Sequence, residues 1–237
     1  STLFPYTTLF RSQMYLLETG ELVLLTRNGC YYRENGSESE VLILTVMNGQ
    51  PEIVGRLPVA GQIQESRMVG TALYVAAQTY RAVVNSDGTI WEWGTKLSAF
   101  DLSDPLAPVP QNVLWYPGYN QVVTATDRYF ILATQDAGDW RRSVVHLVDI
   151  EDPLGQMLPL GRLQAAGLVA DKFKMQVNGE VLTVISEVRD TTLYTLLETF
   201  SLADPLAPVK LGDLELGLSE RLDRKSTRLN SSHRIRS

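Results

Sequence analysis

Histidine and cysteine are nearly absent. Two histidines and one cysteine, Cys30, among 237 residues leave no material for an intramolecular disulfide framework or a thiolate metal cage, because each needs several such side chains. His233 falls in the C-terminal tail, so His146 is the one histidine of the body, set between Val145 and Leu147 in a strand-like run. A site built from several histidines is excluded. A catalytic base at His146 would need a nucleophile and an orienting acid to converge on it, and nothing in the spacing brings them there; the other reading is a satisfied or edge-facing strand histidine. No Gly-rich run leads into Lys-Ser/Thr and a helix, so there is no phosphate loop. No apolar run is long enough to cross a membrane as a helix, and no long stretch has helical period. Carboxylates are plentiful, but the sequence alone places no pair at a glycosidase separation. No catalytic residue, cofactor or metal ligand is assigned.

What the chain has instead is a repeat. Asp104-Pro105-Leu106-Ala107-Pro108-Val109 returns as Asp204-Pro205-Leu206-Ala207-Pro208-Val209, and a worn copy, Asp152-Pro153-Leu154-Gly155, stands between them. The three Asp-Pro steps are 48 and 52 residues apart. Each ends an apolar run: 97–102, 144–150 and 196–202. Such runs read as strands. Proline has no amide hydrogen and cannot continue a central ladder, whereas the aspartate can accept a bond from a nearby backbone amide. The motif reads as a structural strand-turn-strand corner.

A second signal shares the period. Thr19-Gly20-Glu21, Gly70-Thr71-Ala72, Asp127-Arg128 and Asn178-Gly179-Glu180 each precede a strand-like run. At Asn178-Gly179 both residues tolerate the positive φ of a hairpin turn, and Phe173, Met175 and Val177 alternate with polar residues before it, which is strand period. Each unit therefore holds two strands around a hairpin, a third ending at the corner and a short fourth. Four antiparallel strands in about 40 to 50 residues is the unit of a β-propeller blade. The fold expected is all-β, with about four four-stranded antiparallel blades at about 13–59, 60–115, 116–163 and 164–216, in an incomplete ring rather than a closed one.

Two loops could do more than connect. Asn85-Ser86-Asp87-Gly88 is a plain hairpin turn or the start of a calcium loop, although Gly94 stands where the closing glutamate belongs. The longest loop of the third unit carries Trp140, Arg141 and Arg142. Tryptophan and arginine are enriched at binding hot spots, which makes these three the candidate binding residues; the alternative is a loop tip whose Trp140 folds back over the sheet.

The ends differ from the body. Residues 2–12, Thr-Leu-Phe-Pro-Tyr-Thr-Thr-Leu-Phe-Arg-Ser, resemble the in-frame translation of a common sequencing adapter, and residues 223–233, Asp-Arg-Lys-Ser-Thr-Arg-Leu-Asn-Ser-Ser-His, resemble that of the opposite adapter. The resemblance implies that 1–12 and 223–237 are non-native and that 13–222 is a propeller segment cut at both ends. The alternative is a natural start and a basic tail. Setting aside six basic residues and Asp223 leaves 15 basic and 26 acidic residues, a net of −11 against −6 for the whole chain. That balance disfavours a nucleic-acid partner.

With the corner and Glu65-Ser66-Arg67-Met68-Val69-Gly70 in view, residues 13–222 resemble a bacterial and archaeal family of secreted proteins with a C-terminal β-propeller, whose members carry a Ser-Arg-Met-like step before a Leu-Tyr-Val-like strand, here Ser66-Arg67-Met68 and Leu73-Tyr74-Val75. The corner also resembles the Asp-Pro endings of propeller repeats in bacterial surface proteins. The resemblance implies export to the cell surface or beyond, and no reaction. Three functions stay open: a non-catalytic propeller presenting loops to a protein or surface ligand, an enzyme whose channel site is completed by missing blades, and a structural spacer in a larger surface protein. Fold alone does not choose among them.

Overall fold

The computed structural model describes residues 13–27, 39–86 and 88–218. Segments 1–12 and 223–237, together with Cys30, Asp87 and most of the connection expected at Cys30 to Glu40, lie outside the described residues.

Among the described residues, sixteen strands form four antiparallel four-stranded sheets, each in simple up-and-down order. The first sheet holds β1 (Met14–Leu16), β2 (Leu22–Arg27), β3 (Ser39–Met47) and β4 (Gln50–Val59). The second holds β5 (Gln62–Val69), β6 (Ala72–Asn85), β7 (Gly88–Asp101) and β8 (Val109–Pro117). The third holds β9 (Val122–Ala125), β10 (Tyr129–Gln135), β11 (Ser143–Asp149) and β12 (Leu158–Ala165). The fourth holds β13 (Met175–Asn178), β14 (Val181–Arg189), β15 (Leu193–Ser201) and β16 (Val209–Leu218). The strand order within each sheet is that of a propeller blade. The chain forms two compact units. One comprises the described residues up to Thr134 with His146–Gly161; the other comprises Gln135–Val145 and the described residues from Arg162 onward.

Alternation decides which faces are buried. In β3, Val41 and Ile43 are fully buried while Leu42 and Leu44 are half-exposed. Within the first compact unit, Val23, Leu25, Val41, Ile43 and Leu57 of the first sheet share one core with Leu73, Val75, Phe100 and Leu102 of the second. The opposite face of the second sheet, through Ala72, Tyr74, Ala76, Leu97 and Ala99, packs on Phe130, Leu132, Val148 and Ile150 of the third. Burial of an aliphatic or aromatic side chain at such a face stabilises by about 1.5 to 3 kcal/mol, so these face-to-face layers hold the repeat together.

The three Asp-Pro corners share one hydrogen-bond pattern. Asp104 Oδ1 accepts from the Leu106 amide at 3.0 Å, Asp152 Oδ1 from the Leu154 amide at 2.7 Å, and Asp204 Oδ1 from the Leu206 amide at 3.0 Å. Each aspartate carbonyl also closes a turn, to the amides of Ala107, Gly155 and Ala207 at 3.0, 3.2 and 3.1 Å. The lost second proline in the middle corner leaves these bonds intact. The corners of the first compact unit reach back to the preceding sheet. Pro105 O lies 3.3 Å from the point where Gly55 in β4 would carry a Cβ. Thr71 Oγ1 donates to Pro153 O at 3.1 Å, and the buried Tyr74 hydroxyl donates to the carbonyls of Asp152 and Gln156.

Two local expectations need correction. Phe173 does not belong to a strand: Lys172–Lys174 is a 3-10 turn, and β13 begins at Met175. The Asp171 side chain accepts from the Phe173 amide at 2.8 Å, a cap that diverts the backbone before the ladder starts. In the following hairpin only Gly179 has positive φ, and Asn178 pairs with Val181 as the last strand residue. The Asn-Gly pair with both residues at positive φ is Asn48-Gly49, at φ 53° and 78°. It joins β3 to β4 as a tight hairpin where the other sheets have a corner, because a two-residue primed turn follows the strand twist.

Two outcomes follow from the corner contacts. Gly70 has φ +55°, and an added Cβ would stand 2.7 Å from Pro153 Cβ. Gly70→Ala is expected to cost about 2 kcal/mol or more, read as a lower urea midpoint with unchanged slope. Burial, with the nearby Asp152 and Asp149 carboxylates, pushes the Tyr74 hydroxyl from 10.0 up to about 12. The unfolded chain then ionises before the folded one, so this contribution is whole below pH 10 and falls away as pH rises toward 12. Tyr74→Phe should remove that alkaline loss from a stability-pH curve.

Candidate binding surface

Among the described residues, the second sheet carries an arm that no other sheet has. β6 and β7 pair over their whole length, from Ala72–Asp101 to Asn85–Gly88. β5 accompanies β6 only as far as Gln78, and β8 accompanies β7 only back to Gly94. Residues 79–85 and 88–93 therefore run on as a two-stranded ribbon. Opposed residues of an antiparallel pair share a face. One face accordingly takes Tyr80, Ala82 and Val84 from β6 and Thr89, Trp91 and Trp93 from β7. In the body of the sheet this same face carries Tyr74, Ala76, Leu97 and Ala99 and is buried. Along the ribbon it is open: Tyr80 is 56% exposed, Trp91 69% and Val84 79%. Tyr80 and Trp93 meet edge to face, with centroids 4.5 Å apart, an arrangement the ring quadrupoles favour.

The opposite face is braced. Glu92 Oε2 accepts from Trp115 Nε1 at 2.8 Å and from Arg81 Nε at 2.8 Å. The Arg81 guanidinium lies over the Trp115 ring, 4.8 Å from its centroid. Gly94 makes room for that indole, since a Cβ there would be 2.5 Å from Trp115 Cζ2. These contacts stiffen the base of an arm whose own two strands would be marginal alone. Where the ribbon leaves the core a buried polar network closes the apolar layer: Thr95 Oγ1 donates to Gln121 Oε1, Gln78 Nε2 to Gln121 O at 3.1 Å, and Gln121 Nε2 to Tyr116 O at 2.9 Å.

His146 is half-buried in β11. Its Nε2 is 3.2 Å from Thr134 Oγ1, and its ring lies 5.1 Å from that of Tyr116. Burial pushes the Tyr116 hydroxyl above its ordinary value. These contacts link β11 to β10 of its own sheet and to β8 of the second sheet. Asn85, Ser86 and Gly88 form the tip of the β6–β7 hairpin; the remaining member of the suggested calcium loop, Asp87, lies outside the described residues.

The Trp140 loop joins β10 to β11, the same connection in its own sheet that the ribbon makes in the second. Trp140 is 62% exposed, so the indole does not fold back over the sheet. Gln135 Nε2 donates to its carbonyl at 2.7 Å. Both neighbouring arginines turn to one carboxylate: Arg141 Nε is 3.1 Å from Asp139 Oδ1 and Arg142 Nε 3.4 Å from Asp139 Oδ2. Hydrogen bonds from the Arg141 side chain and amide hold the Asp139 carboxyl below its ordinary value. The loop thus presents an exposed indole next in sequence to two arginines that both pair with Asp139. Tyr80, Trp91 and Trp93 were not among the residues singled out from the sequence. The sequence shows them only as strand-period apolar residues, Tyr80, Ala82 and Val84 before the 85–88 turn and Trp91 and Trp93 after it.

No protein-family model matches the chain, and no curated protein matches it. The class defined by its own structure is an all-β protein of four repeated four-stranded sheets.

Glu92→Ala should loosen the arm without unfolding the sheet. Expected is faster trypsin cleavage after Arg81, with a global stability loss of about 1 kcal/mol; limited proteolysis beside a urea melt separates the two.

Proposed function

We propose that this chain is a segment of an exported, non-catalytic β-propeller of the bacterial and archaeal secreted type, and that it binds a protein or surface ligand through the connections between the second and third strands of its sheets. The observation that carries this reading is the open aromatic face of the β6–β7 ribbon. Large side chains held rigid by cross-strand pairing give contact area at little entropic cost. A soluble repeat protein gains nothing for its own core by extending an apolar face beyond the neighbouring sheet, and exposed contiguous apolar patches mark interaction sites. Trp140 supports the same use of the equivalent connection in the third sheet. Export rests on the family resemblance of Ser66-Arg67-Met68 and the Asp-Pro corners.

The test is retention of the purified chain on a panel of immobilised peptides and cell-surface polysaccharides. Trp91→Ala and Tyr80→Ala should each weaken a genuine interaction about tenfold or more, with unchanged circular dichroism. Ligands retained equally by the parent and both variants would refute the ribbon as the contact surface.

A further inference from the structure

The first and fourth sheets carry the same outer-strand signature, Val54-Gly55-Arg56-Leu57 in β4 and Leu211-Gly212-Asp213-Leu214 in β16. Their registers match. Gly55 faces Ile43 and Leu57 faces Val41, after an irregularity between Ile43 and Leu44. Gly212 faces Thr199 and Leu214 faces Leu197, after an irregularity between Thr199 and Phe200. In the first sheet this patch is covered by the second sheet. Leu57 is 7% exposed, Val41 and Ile43 are fully buried, and the Pro105 carbonyl of the next corner sits 3.3 Å from the Gly55 Cβ position. In the fourth sheet Leu214 is 58% exposed, Leu197 and Thr199 are half-buried, and among the described residues nothing lies within 4 Å of the Gly212 Cβ position.

We propose that the Gly212 face of the fourth sheet is a docking seat for a further repeat unit, whose Asp-Pro-Leu corner lays its proline carbonyl on Gly212 while its apolar face covers Leu197 and Leu214. The occupant follows from the interface already formed at Gly55: a residue without Cβ admits a backbone carbonyl to close range, and the flanking leucine is what the arriving sheet buries. A second copy of this chain is the poorer fit through its first sheet. That sheet joins its third and fourth strands by the tight Asn48-Gly49 hairpin and has no corner to offer. The inference stands on repeat geometry and is independent of the loop-binding reading.

The probe is the heptapeptide Ser-Asp-Pro-Leu-Ala-Pro-Val, the sequence of residues 103–109, titrated into the isotope-labelled full chain. Saturable amide shifts are expected at Thr199, Gly212, Asp213 and Leu214, with a Kd of about 1 mM, weakened about tenfold or more in Gly212→Val. That variant should melt with the parent, because its side chain enters open space; Leu214→Ser serves as a second variant. Absence of localised shifts at about 10 mM peptide, equal shifts with a scrambled peptide, or unchanged binding in both variants would overturn the proposal. So would self-association of the chain that buries Leu214 and is not displaced by the peptide.

Discussion

A single carboxylate-to-amide hydrogen bond, made three times, sets the geometry on which the described sheets depend. In each corner the aspartate accepts from the amide two residues on while its carbonyl closes the turn. The proline between them cannot donate, so no ladder competes with this bond. The corner is thereby stiff enough to serve as a contact surface, and it places a carbonyl against Gly55 in one case and the Pro153 ring against Gly70 in the other. The apolar layers supply most of the stabilisation. The corners decide which residues of neighbouring sheets meet.

The fold was legible because its marks are backbone marks. Proline and the turn glycines constrain φ wherever they stand, so the corners and the four-strand rhythm could be read from residue type alone. Local hydrogen bonding decided the cases that went otherwise. Lys172-Phe173-Lys174 has strand alternation, yet the Asp171 side chain captures the Phe173 amide and winds the segment into a turn. At Asn178-Gly179 the ladder claims the asparagine and leaves only the glycine in the left-handed region. The aromatic ribbon was harder to see. Trp91 and Trp93 look like core residues by type and spacing, and only the lengths of β5 and β8 show that no sheet reaches them. Strand length is set by pairing partners distant in sequence, which a single chain read in order does not display.

The charged groups follow a local logic. Arg141 and Arg142 share Asp139, Arg81 is held by Glu92, and Lys210 bridges the buried Glu198 and Asp213. Glu198 is buried, whereas the Arg81, Arg141 and Arg142 pairs lie at the surface. Exposed pairs of this kind contribute little to stability. At Arg81 the pairing with Glu92 also holds the guanidinium over the Trp115 ring.

The direction in which the corners reach has a consequence for how the protein is made. Both corners of the first compact unit bear on the sheet that precedes them in the chain. During synthesis the amino-terminal sheet emerges first and can pair its own strands. In the first compact unit each later sheet can then arrive with its corner ready to grip a surface already formed, like a zip closed from one end. In that unit, every surface a corner grips is one the chain has already made.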